Sequence, residues 1–351
     1  MQSNGPQSWG MGETAPVEGD PFALARASCR HAAQVARDVS IDEVALRRFV
    51  ARLDGSMVRD VLAGHMGENC DTKPEEFGCA REAVNFAVLF ALLQFGHGFR
   101  YELHRLCGRG ASQTITLGVR ALHATGDLSA AHLRRLTAAD VHQAFQLPRH
   151  PDVGTLVKQL QTVLYQAGTV LALLGVEDFA AFVQRTLSRP ESAHAPAATM
   201  VQQLAYHFPA FNDQGVLHDG SRVVLMKKAT LAVGELRRLA ASHDGRYRFE
   251  QDFDRAIAPV DNVIPAMLVY HGILRLSPTL HQRIHEQRVS LPRGPQEAEL
   301  RAVALDVCER IVAATGGAFT ALDLGYYLWR SGKESGARQF ARHHTQDTVF
   351  Y

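Results

Sequence analysis

Apolar residues return every three to four positions from Val153 to Leu174, and the run stops at Gly175. That period belongs to one face of an α-helix, and a glycine just past the last periodic residue is a common helix stop. A half-buried strand cannot use the pattern, because its side chains alternate with a period of two. The same helical signal recurs along most of the chain. Residues 80–95 are apolar on nearly all faces, which predicts a central helix rather than a surface one. Ser40 and Glu43 form a capping-box pattern before Val44–Val50, and Thr137-Ala138-Ala139-Asp140 opens another helix. Helices are also expected over roughly 197–208, 228–241, 265–275, 278–288, 295–315 and 319–331. Arg222–Met226 is the one strand-like piece, and it pairs with Gly215-Val216-Leu217 as a short β-hairpin across the turn Asp219-Gly220. Residues 188–196, rich in Pro, Ser and Ala, read as a linker. The expected fold is mainly α: a single large helical domain over 21–351 with a short β-hairpin.

At 46% hydrophobic and 21% charged, the 351 residues have the composition of a globular protein with a sizeable core. The net charge of +1 argues against a dedicated tRNA or DNA binder, which carries a basic face, so no intact nucleic acid is expected as partner. Five cysteines, Cys29, Cys70, Cys79, Cys107 and Cys308, are odd in number and share no CxxC spacing. Neither a disulfide framework nor a zinc site follows, and a reducing compartment fits. The longest strongly apolar stretch, Phe86–Leu93, is far short of the roughly 20 residues a spanning helix needs, so no membrane partner is expected. Residues 1–20 lack the basic start and apolar centre of a signal peptide and are expected to form a disordered tail of a cytoplasmic protein. The glycines never fall in GxGxxG or GxxxxGK[ST] register, which removes the Rossmann and P-loop readings.

Asp261 is the only formally charged residue between Arg255 and Arg275, and it sits between Pro259 and Pro265. Pro265 suits the first turn of the apolar helix that follows, so the carboxylate is expected on a constrained loop at a helix N-terminus. A carboxylate beside core costs free energy unless it is paired, capped or used, and a plain capping role is the simplest use. Other candidates are weaker. Gly96 and Gly98 flank His97, which lets the backbone approach a ligand closely, although a helix end with a surface histidine accounts for it equally well. Lys227-Lys228 follow directly on the Val223–Met226 segment, where a lysine can meet a phosphate or snorkel to solvent. His281 and His285 at i,i+4 have metal-binding spacing, but their polar neighbours Gln282, Arg283 and Glu286 describe a solvated surface. His343-His344 are expected in a solvent-facing tail. Leu322–Trp329 concentrates three aromatics, which serve either as core or as a stacking wall.

The order of these blocks along the chain resembles the queuosine salvage family. The matching blocks are Phe208-Pro209-Ala210-Phe211-Asn212-Asp213, Gly220-Ser221-Arg222-Val223 running into Lys227-Lys228-Ala229, Asp261 with Pro265, Gln296–Arg301, Tyr326-Tyr327-Leu328-Trp329 and Phe350-Tyr351. The resemblance is strong after about residue 200 and looser before it, through Asp38-Val39-Ser40-Ile41 and Leu92–Phe95. It implies an architecture similar to helix-hairpin-helix DNA glycosylases. It also implies hydrolysis of the N-glycosidic bond of queuosine 5′-phosphate, releasing queuine without a metal or other cofactor. In that reading Asp261 is the catalytic carboxylate. Phe95, Tyr327 and Trp329 are aromatic walls for the base, Glu297 or Asn262 reads its edge, and Lys227 with His97 holds the 5′-phosphate. The chain departs from the family's better-known branch at Gln94, Asn262, Val263 and Gly325, where that branch carries Asn, Tyr, Arg and Asp. These departures leave open a different modified nucleoside monophosphate as substrate, or a non-catalytic helical protein that binds a nucleotide or nucleic acid. An Asp261 buried beside aromatics favours the enzyme; an exposed one beside a basic stripe favours the binder.

Overall fold

In the computed structural model, which describes residues 11, 14–58, 60 and 72–351, the chain folds mainly into helices. Most of the expected N-terminal tail and Cys70 lie outside the described residues. The first elements are α1 (Pro21–Val35), β1 (Val39–Ile41) and α2 (Glu43–Arg52). Next come α3 (Ala80–Leu92), α4 (Arg100–Cys107), α5 (Ala111–His123), α6 (Ala130–Arg135) and α7 (Ala138–Ala144). The periodic run forms α8 (Pro151–Leu173), followed by α9 (Phe179–Leu187) and α10 (Pro196–His207). The second half holds β2 (Gln214–Val216), β3 (Arg222–Val224), α11 (Lys227–Ala240) and α12 (Val263–Tyr270). After these come β4 (Leu274–Leu276), α13 (Pro278–His281), α14 (Pro295–Ala314) and α15 (Ala321–Ser331).

Helix α3 lies at the centre, as its apolar circumference requires. Phe86, Val88, Leu89 and Leu92 are buried, and α3 packs along α11 more extensively than any other described pair of elements. Each such side chain removed from water contributes about 1.5–3 kcal/mol. Helix α1 packs against α14, and α6 against α8. Helix α8 ends as its sequence predicts, with Gly175 in the left-handed region at φ +67°. Thr137 caps α7 reciprocally with Asp140. The expected hairpin forms, pairing Gln214 with Val224 and Val216 with Arg222.

Four local expectations are corrected. Asp42, not Ser40, caps α2, accepting hydrogen bonds from the N–H groups of Val44 and Ala45. Ser40 lies instead in β1, which pairs antiparallel with β4. That pairing ends α12 at Tyr270, because Leu274 is drawn into the strand. Residues 188–196 are no linker: Pro190–Ala193 form a 3-10 turn with Ser192 buried. His343 is 2% exposed rather than part of a solvent-facing tail, because residues 343–351 fold back into the domain. The His281 and His285 rings stack 4.6 Å apart, and no group of three potential metal ligands occurs among the described residues. No single helix among them is long and apolar enough to cross a membrane.

Candidate active site

The loop before α12 presents Asp261, which is 2% exposed. Its Oδ1 accepts hydrogen bonds from the N–H groups of Val263 at 2.7 Å and Ile264 at 3.3 Å. Asp261 therefore does cap the helix, at the end where a negative charge is stabilised. That role uses one oxygen. Oδ2 makes no hydrogen bond among the described residues, and Asp261 lines a cavity. The cap thus occupies only one oxygen of the carboxylate.

The loop is held from below. Arg301 of α14 donates from Nε and Nη2 to the Val260 carbonyl at 3.1 and 2.9 Å. The same guanidinium binds Asp213 through Nη1 and Nη2 at 3.1 and 2.6 Å, and Glu297 at 3.2 Å. Burial alone would lower the Arg301 pKa, but Asp213 and Glu297 outweigh it and raise it further. Burial also pushes Glu297 up, against the pull of Arg301. From above, α15 closes on the loop at Gly325, where an added Cβ would meet Pro259 Cδ at 2.6 Å. A glycine is what allows that approach.

The cavity is bounded by α3, α5, α11, the Asp261 loop and α15. Phe90, Gln94 and His97 line it from one side, Tyr326 and Trp329 belong to α15, and Lys227 of α11 also lines it. Lys227 Nζ donates to the Gln94 carbonyl at 2.7 Å, and Lys228 Nζ to the Leu92 carbonyl at 2.6 Å. Both side-chain nitrogens thereby satisfy carbonyls at the electronegative end of α3, although burial drives the Lys228 pKa well below its ordinary value. Burial lowers Lys227 to about 8, opposed by the nearby Asp261 charge. Burial also lowers His97 to about 4, again opposed by Asp261, so its imidazole is neutral at neutral pH. Two buried polar atoms on this wall, Gln94 Nε2 and His97 Nδ1, have no hydrogen-bond partner among the described residues. Polar atoms left so in a folded protein point to a ligand or water.

Residues 343–351 form the back of the site. The Asn262 amide donates to the His343 carbonyl at 2.9 Å, and the Gly96 N–H to the Tyr351 carbonyl at 3.1 Å. The strand-like tail crosses Gly98 so closely that an added Cβ would sit 2.1 Å from the Thr345 carbonyl oxygen. Burial lowers His343 to about 3. His343 and His97 stay neutral in the folded protein down to that range, whereas in the unfolded chain they protonate near their usual 6.5. The unfolded state therefore binds more protons between about pH 6.5 and 4, and stability falls as pH is lowered through that window. Melting curves across it are expected to fall less steeply for His343→Gln than for the wild type; equal slopes would contradict the burial of a neutral His343.

Four residues expected at the site meet on the cavity wall: Asp261, His97, Lys227 and Trp329. Four others do not line it. Phe95 lies beneath it with Lys228 Nζ 5.0 Å from its ring centre. Asn262 points to His343, and Glu297 is engaged by Arg301. Tyr327 lines a separate cleft with Phe49 and His271. Tyr326 takes the place foreseen for Tyr327. The signal was available: Tyr326, Trp329, Arg330 and Lys333 follow i, i+3, i+4, i+7 spacing and share one helix face, from which Tyr327 is rotated. Of the four departures, Gln94 and Gly325 line the cavity, while Asn262 and Val263 do not.

The family model for queuosine salvage proteins matches residues 115–351, about two thirds of the sequence and including Lys227, Asp261 and Trp329. This chain belongs to the queuosine salvage protein family. It is similar to the queuosine 5′-phosphate N-glycosylase/hydrolase of Sphaerobacter thermophilus, with 29% identity over 231 residues. That alignment covers 63% of this chain and 65% of the relative, so just under two thirds of the bacterial protein is spanned. The protein of the same name from Bos taurus is 22% identical over 352 residues, covering 93% of this chain and 96% of its own length. The match of the queuosine salvage model begins after Gln94 and His97, so the α3 wall lies outside it, whereas the Asp261 loop and the α15 wall lie inside.

Proposed function

We propose that this queuosine salvage family member is an N-glycosyl hydrolase that converts queuosine 5′-phosphate and water into queuine and ribose 5-phosphate, supplying queuine for tRNA modification. The observation that carries this reading is the divided carboxylate of Asp261, one oxygen tied to a helix and the other left for chemistry at the wall of a cavity lined by aromatic and basic side chains. As the C1′–N bond breaks, positive charge grows on the ribose, and Asp261 Oδ2 stabilises it and orients water. The water oxygen ends on C1′, one of its protons on the base, and the bond's electron pair leaves with the base. Tyr326 and Trp329 supply the apolar faces against which such enzymes hold a base. This chemistry asks for no metal, and the substrate is a free nucleotide rather than intact tRNA. A cytoplasmic site of action and an architecture akin to helix-hairpin-helix glycosylases belong to the same reading.

Lys227 serves the 5′-phosphate; its charge persists below about pH 8 and is lost above it. His97, neutral at neutral pH, offers a hydrogen bond but no charge. Activity on queuosine 5′-phosphate is therefore expected to decline above pH 8. Lys227→Met is expected to raise KM for the nucleotide about tenfold to a hundredfold, and to change KM for unphosphorylated queuosine little. Equal effects on both substrates, measured by mass-spectrometric release of base, would remove Lys227 from the phosphate.

The cavity-lining departures Gln94 and Gly325 favour one second reading, the same glycosylase chemistry on another modified nucleoside monophosphate. A panel of modified and unmodified nucleoside monophosphates, scored for released base, separates the two: queuine leads in the first reading and trails in the second.

A further inference from the structure

Gln94 is 7% exposed, lines the cavity, and ends in an amide nitrogen with no hydrogen-bond partner among the described residues. Its backbone is fixed twice over. The Gln94 N–H donates to the Ala91 carbonyl, and the Gln94 carbonyl accepts from Lys227 Nζ at 2.7 Å. The side chain is therefore held on the wall while its polar end is left unsatisfied. Burying such a donor without a partner costs free energy that a bound ligand can return. Beside it, His97 offers a second nitrogen, Nδ1, without a partner among the described residues. The residues expected from sequence to read the base, Asn262 and Glu297, do not line the cavity: the Asn262 amide nitrogen is tied to His343 and Glu297 to Arg301.

We propose that Gln94 is the specificity residue that reads the leaving base, its primary amide pairing with the lactam edge of a 7-deazaguanine-type base. A primary amide and a lactam are complementary in two hydrogen bonds: the amide N–H donates to the exocyclic oxygen, and the amide oxygen accepts from the ring N–H. His97 adds an uncharged polar group to the same edge. The inference rests on the glycosylase reading for its substrate, but the amide's role in binding the base can be measured without turnover.

The test uses the full chain and three proteins: wild type, Gln94→Leu and Gln94→Glu. Leucine keeps a buried side chain of similar size and removes both hydrogen bonds; glutamate keeps the acceptor and removes the donor. Binding of queuine and of ribose 5-phosphate is measured separately by calorimetry, in an Asp261→Asn background if turnover interferes. Both variants are expected to lose about tenfold to a hundredfold in affinity for queuine and to keep wild-type affinity for ribose 5-phosphate. With melting temperatures close to wild type, kcat/KM for queuosine 5′-phosphate should fall by a similar factor. Unchanged queuine affinity in both variants overturns the proposal, and so does an equal loss for queuine and ribose 5-phosphate, which would mark Gln94 as merely structural. If wild type binds queuine through Gln94 yet releases no base from any nucleotide, the glycosylase reading fails while the base-reading role stands.

Discussion

Asp261→Asn is expected to lower queuine release from queuosine 5′-phosphate by on the order of 10³-fold while leaving the fold intact. The two consequences separate because the two oxygens of Asp261 have different tasks. Asparagine retains a carbonyl oxygen that can accept from the Val263 and Ile264 N–H groups, so the start of α12 survives. What it loses is the negative charge beside the developing oxocarbenium ion. The loss should fall on kcat, with substrate affinity changed much less, because the charge is needed most where the bond is breaking. Single-turnover rates and melting curves on the same preparation measure both parts. A variant that melts like wild type and turns over at the wild-type rate would leave Asp261 as a helix cap alone.

Arg301→Met is expected to be the most destabilising single change in the site, by about 3–5 kcal/mol. The guanidinium is 2% exposed and serves Asp213, Glu297 and the Val260 carbonyl together. Methionine fills much of the space but leaves two buried carboxylates facing each other without a counter-ion. It also frees the loop that presents Asp261, so activity should fall beyond what the folded fraction explains. Adding Asp213→Asn and Glu297→Gln to Arg301→Met removes the stranded charges and is expected to recover much of the stability without recovering activity. Denaturant titration of the single and triple variants measures this. A triple variant no more stable than the single would show that the charges are not what the arginine offsets.

Local patterns in the sequence foretold local structure well. The 3.6-residue period of Val153–Leu174, the all-round apolar surface of residues 80–95 and the turn at Asp219-Gly220 translate into α8, α3 (which ends at Leu92) and the β2–β3 hairpin. What stayed hidden depends on residues far apart in the chain. Strand β1 is recognisable only through β4, more than two hundred positions away, and without it Ser40 reads as a helix cap. His343-His344 look like a polar tail because nothing nearby announces that Gly98 leaves room for the chain to cross. At the site, the chemical type of Asp261 and Lys227 was legible from their neighbours. The orientation of Asn262, Glu297 and Tyr327 was not, because it is set by partners on other elements: His343, Arg301 and the cleft beside Phe49. Tyr326 is the exception, since its helical phase with Trp329 was available all along.

The most direct test of glycosidic hydrolysis is incubation of purified wild-type protein with queuosine 5′-phosphate in water enriched in oxygen-18, with products resolved by mass spectrometry. The expected result is free queuine without label and ribose 5-phosphate carrying one heavy oxygen at C1, both absent with Asp261→Asn. Substrate that remains intact, or a base released without incorporation of solvent oxygen into the sugar, would contradict the assignment.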